Sequence, residues 1–95
     1  MPFEKKRIRV PENVLFRELD GESVILNVDD DRYYGLDDIG TRIWQVLTEC
    51  GSLERTFQAL KAEYDVDPGT LRRDISGLVD KLTEKGLLDV ITDGN

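Results

Sequence analysis

The sequence predicts an α+β domain of winged helix-turn-helix outline, in which a three-stranded antiparallel sheet is followed by three helices. Three observations carry this. Asp20-Gly21 lies between two apolar runs, a strong short-range hairpin signal. Near Asp37 the apolar period changes from two to about 3.6 residues. The strand-like segments also precede the helical ones, unlike the alternating order of a parallel sheet.

Each element has its own local cause. Residues 14–19 form the first strand, and residues 23–28 the second, with Val24, Leu26 and Val28 on one face and Ile25 and Asn27 on the other. Asp29-Asp30-Asp31 makes a polar turn before a third strand rich in aromatics over residues 32–36. Asp37 or Asp38 can cap a first helix whose stripe is Ile39, Ile43, Val46 and Cys50, flanked by Trp44 and Leu47 and closed by Gly51. Ser52 can cap a second helix with Leu53, Phe57, Leu60 and Tyr64 on one face. Asp67-Pro68 then supplies a cap and a first-turn proline for a third helix with the stripe Leu71, Ile75, Leu78 and Leu82, ending at Gly86. Residues 87–91 are expected as a short terminal strand or an extended packed segment. Residues 1–12, charged and punctuated by proline, are expected as a flexible arm, 13–91 as the domain and 92–95 as a flexible tail.

Composition narrows the function. At 95 residues the chain suits one core, and its 39% hydrophobic content suffices to build one. Thirteen basic against twenty acidic residues give a net charge of −7, which opposes binding to a phosphate backbone. Residues 12–38 hold nine of the acids and only two bases, so the hairpins are especially unsuited to DNA. The absence of histidine removes the commonest general base and metal ligand. With Cys50 as the one cysteine, neither a zinc site nor a Cys/His pair can be assembled, and no catalytic residue is expected. Asp29, Asp31, Asp37 and Asp38 miss the EF-hand pattern, since Tyr34 stands at its glycine position and Gly40 at its last glutamate. They read as turn and cap residues, and no metal or cofactor is expected. No apolar run approaches the roughly 20 residues of a membrane span, and the start lacks a secretion signal, so the expected location is the cytoplasm.

The third strand is the informative element. In a three-stranded meander it lies at an edge, where backbone donors and acceptors can remain unpaired. Arg32, Tyr33, Tyr34, Gly35 and Leu36 contain no proline, and the glycine allows close approach of another backbone. On the third helix, Arg72, Ser76, Val79 and Thr83 flank the apolar stripe, with Arg73 slightly farther round. Strip and edge together are expected to form a peptide-binding groove.

The order and wording of these segments resemble the PqqD family, the RiPP recognition elements. The resemblance is carried by residues 20–28 (DGESVILNV), by the phrase YYGLDDIGTRIW over residues 33–44, and by residues 78–88 with their EKGLL ending. Asp37 stands where this family often has asparagine, which preserves the capping chemistry. The resemblance implies non-catalytic recognition of a precursor's leader peptide, which adds a strand to the third β-strand and packs on the third helix. The YYGLD phrase and the Ile43-Trp44 pair look most similar to stand-alone leader-binding proteins of lasso-peptide pathways, which implies a separate leader protease as the partner maturation enzyme. Two other readings stay open at this point. One is a PqqD-like chaperone serving a radical-SAM enzyme; the other is a winged-helix DNA-binding regulator using Arg72 and Arg73.

Overall fold

A computed structural model describes residues 6–92. In chain order these residues form β1 (Lys6–Arg9), β2 (Val14–Leu19), β3 (Glu22–Asn27), β4 (Tyr33–Leu36), α1 (Asp38–Cys50), α2 (Leu53–Glu63), α3 (Pro68–Glu84) and β5 (Asp89–Thr92). The α+β class and the meander followed by three helices are as expected, with β2-β3-β4 in one antiparallel sheet.

Local chemistry sets the boundaries. Asp20 and Gly21 both take positive φ, 54° and 85°, as a two-residue turn matched to the twist of its strands requires. Side chains of Asp37, Ser52 and Asp67 accept the backbone N–H of Gly40, Arg55 and Thr70, so each helix begins on a cap. After α3, Gly86 at φ 74° turns the chain, and the Leu87 N–H reaches back to the Leu82 carbonyl at 2.8 Å.

The main correction concerns the N-terminal arm. Within its expected span of 1–12, Lys6–Arg9 forms a second sheet with β5, pairing Ile8 with Val90 and Arg9 with Asp89. The Ile8 N–H donates to the Gly51 carbonyl at 3.1 Å, and Arg9 contacts Asp89 at 3.1 Å. The charges of this segment hide a period-two pattern in which Ile8 faces inward, and the partner strand lies 80 residues away, beyond the reach of local reading. Residues 1–5 lie outside the described residues; of the expected tail, Thr92 ends β5 and 93–95 are also outside.

The three helices and one face of the sheet enclose the core. Leu47, Leu60, Ile75, Leu82 and Leu87 are fully buried at its centre, and Ile25 and Leu36 enter it from the sheet. On β3 the inward residues are Ser23, Ile25 and Asn27, while the more apolar Val24 and Leu26 lie on the outer side, and Val28 just beyond the strand is also exposed. Inward polarity is matched by partners. Ser23 shares a 2.7 Å hydrogen bond with Thr41 of α1, and Asn27 accepts the Asp29 N–H at 2.9 Å and donates to the Gly86 carbonyl at 3.4 Å. These contacts tie the sheet to the start of α1 and the end of α3, fixing where β4 lies against the helices. Arg42 clamps Glu63 through two 2.8 Å bonds, joining α1 to the end of α2. That hydrogen bond holds the Glu63 carboxyl below its ordinary value and the Arg42 guanidinium above its own.

Candidate peptide-binding groove

The pairing of β4 decides which of its groups are free. Asn27 N–H donates to the Arg32 carbonyl at 2.8 Å, so these two residues form a hydrogen-bonded pair. Antiparallel pairing alternates, so Ile25 with Tyr34 and Ser23 with Leu36 are bonded pairs too, while Leu26 with Tyr33 and Val24 with Gly35 are not. The N–H and C=O groups of Tyr33 and Gly35 therefore point away from β3 toward the open side. Among the described residues no strand pairs there, and no loop or cap bond reaches them.

Beside this edge lies a cavity of about 600 Å³. One wall is β4 and the turn after it, from Tyr34 to Asp37; the floor is the start of α1, with Ile39, Gly40 and Ile43. The other wall is α3, through Arg73, Asp74, Gly77, Leu78 and Lys81. Ile39 is 47% exposed although it continues the apolar stripe of α1, so the groove offers an apolar floor to water. Lys85, at the end of α3, sits 5.9 Å from the centre of the Tyr34 ring.

The expected site residues divide between this groove and other places. Tyr34, Gly35, Leu36 and Arg73 line the cavity, and Tyr33 stands at the edge with its side chain on the outer face, 66% exposed. Arg32 is engaged in the turn: its N–H donates to Asp30 Oδ1 at 3.2 Å and its side chain lies 3.6 Å from that carboxylate. Arg72, Ser76, Val79 and Thr83 do not line the groove. Val79 is a core residue at 2% exposure; Arg72 stacks 4.0 Å above the Phe57 ring and contacts Glu54 at 3.4 Å. Thr83 donates its hydroxyl to the Val79 carbonyl.

Helical geometry explains the displacement. At about 100° per residue, the stripe Leu71, Ile75, Leu82 has two flanks, and the sequence does not say which one faces β4. The core includes Val79, while Leu78 is half-buried on the opposite flank. That small rotation sends Arg72, Ser76 and Thr83 away from the groove and brings Arg73, Gly77 and Lys81 to it. Ile39, Ile43, Asp74, Gly77, Leu78 and Lys81 were missed for this reason, or because α1 looked wholly committed to the core.

Residues 22–88 match the family model described as Coenzyme PQQ synthesis protein D (PqqD). A solved structure of TbiB1 in complex with the TbiA(beta) leader peptide is 36% identical, with a TM-score of 0.78, covering 85% of this chain and 94% of that one. A lasso peptide synthetase B1 complexed with the leader peptide is 29% identical, with a TM-score of 0.77 over 87% and 98% of the two chains. No curated protein sequence matches. The likeness read from the sequence thus extends to the family and to a lasso peptide synthetase B1.

Proposed function

The chain belongs to the PqqD family, and from that premise we propose that it holds the leader segment of a ribosomally made precursor and presents it to a separate maturation enzyme, a leader protease. The leader lies antiparallel on β4 and accepts and donates backbone hydrogen bonds at Tyr33 and Gly35. Its inward side chains enter the groove between β4 and α3, so the backbone provides attachment and the side chains provide selection. The observation that carries this reading is the coincidence of an unpaired edge with an adjoining groove floored by apolar side chains.

In this reading the role is non-catalytic, the chemistry falling to the partner enzyme. Among the described residues the groove holds no nucleophile paired with a base, and the chain has no histidine. No helix among the described residues is long and apolar enough to cross a membrane. The likeness to a lasso peptide synthetase B1 favours the protease over a radical-SAM partner. Recognition of DNA is disfavoured by the net charge and by the engagement of Arg72 with Glu54 and Phe57.

Titration of the labelled protein with the TbiA(beta) leader peptide, followed by amide NMR, tests the proposal. Tyr33, Gly35 and the segment from Arg73 to Lys81 should move most. Changes confined to α2 and β1 with β4 silent would refute strand addition.

A further inference from the structure

Gly77 is placed in the interior of α3, a 17-residue helix, where glycine is less favourable than alanine. Among the described residues, neither backbone conformation nor packing asks for it. Gly21, Gly51 and Gly86 take positive φ; Gly77 does not. Nor does tight packing exclude a side chain, because a Cβ at Gly77 would meet, apart from its chain neighbours and the backbone of its own helix, no described atom within 4 Å. The room left bare opens into the groove, which Gly77 lines together with Leu78, Ile39 and Ile43. Arg73 and Lys81 stand one helical turn before and after it, so the glycine forms a gap between two long side chains.

We infer that Gly77 is a specificity-determining residue: its bare backbone is the seat for one large apolar side chain of the bound strand. The inference rests on the strand addition proposed above, and it names what the groove selects. A strand beside β4 turns every second side chain toward α3. One of them, passing between Arg73 and Lys81, packs on the Gly77 backbone with Leu78 and Ile39 at its sides. A methyl group at position 77 would occupy that space in the complex while leaving the free protein undisturbed.

The test is Gly77→Ala, with Asp80→Ala, on the solvent side of the same helix, as the control. Melting temperature and the affinity for the TbiA(beta) leader peptide are measured for each, with an alanine scan of the peptide. Gly77→Ala should raise Tm by about 4–8 °C, since it improves helix propensity without a clash. It should weaken binding at least about fivefold, the scale of overpacking one methyl group. The loss should vanish when one particular large residue of the peptide is cut back to alanine, and persist for its other residues. Asp80→Ala should leave affinity unchanged. Unchanged affinity in Gly77→Ala, a fall in its Tm, or a loss indifferent to which peptide residue is truncated would each overturn the inference while leaving strand addition standing. If the unaltered protein fails to bind the peptide, strand addition and the inference fall together.

Discussion

Replacing neighbouring residues of β4 by proline should give opposite outcomes, because the strand alternates between groups used by the fold and groups left for a partner. Tyr34 is bonded to Ile25, which is fully buried, so Tyr34→Pro removes a ladder hydrogen bond and leaves the opposing carbonyl short of a donor. Losing the bond, the satisfied carbonyl and the half-buried ring together should cost about 3–5 kcal/mol. A domain of this length is stable by only about 5–14 kcal/mol, so Tm should fall by roughly 15–30 °C. Gly35→Pro removes an N–H that points outward, and proline is tolerated on an edge strand in that orientation. Its Tm should stay within a few degrees, the stiffer unfolded chain offsetting part of any strain. The bound peptide, however, loses a hydrogen bond and meets the ring, about 1–3 kcal/mol together, or roughly 5- to 150-fold in Kd. Thermal unfolding by circular dichroism and titration calorimetry with the leader peptide read the two effects separately. Full affinity in Gly35→Pro would refute use of this edge. An undisturbed Tm in Tyr34→Pro would show that the alternation derived from the Asn27–Arg32 pair is inverted.

Other outcomes are equally open to measurement. Ile39→Ala should reduce peptide affinity about tenfold with little change in Tm, because this side chain is already half in water and its apolar surface is covered only in the complex; calorimetry and a melt decide it. Val79→Asp should unfold most of the population at room temperature, since it buries an unpaired carboxylate in the core, and its circular dichroism spectrum should report lost structure rather than a specific binding defect. Glu63 has a folded-state value below its unfolded one because Arg42 hydrogen-bonds the carboxylate. Its stabilising effect is therefore fully present above the ordinary glutamate value of 4.5 and disappears as pH falls through the lowered folded-state value. Urea midpoints of the unaltered protein and Glu63→Gln should accordingly differ at neutral pH and converge in acid.

What could be read from the sequence was whatever is written locally. The Asp20-Gly21 turn, the caps at Asp37, Ser52 and Asp67, and the stop at Gly86 each depend on a few adjacent residues, and each stands where expected. Long-range partners were not legible. β1 requires β5 from the other end of the chain, and its charged side chains mask the inward Ile8 and Val10. The groove's helical wall failed for a subtler reason. Leu78 and Val79 are adjacent and both apolar, so either can complete the stripe, and the choice rotates the helix by enough to exchange its flanks. Packing against Phe57 and Glu54 holds Arg72 on the α2 side and thereby turns Arg73 to β4.

If a peptide adds to β4 as proposed, the shortness of this strand also determines where selectivity lies. Its open edge offers two donors and two acceptors, from Tyr33 and Gly35, because Tyr34 and Leu36 are committed to β3. At about 0.5–1.5 kcal/mol each, four hydrogen bonds supply at most about 6 kcal/mol before the loss of translational and conformational freedom is counted. Micromolar binding alone corresponds to about 8 kcal/mol, so the edge cannot hold a peptide tightly without the groove. The same arithmetic protects the free protein, since an edge this brief gives weak pairing to any extended chain it happens to meet. Every sequence carries the backbone groups that β4 can bind; far fewer carry side chains that fit between Ile39, Leu78 and the gap at Gly77. On the proposed function, discrimination falls to the α1 floor and the α3 wall, and substitutions there should alter which peptides bind more than substitutions along β4, which should weaken all of them alike.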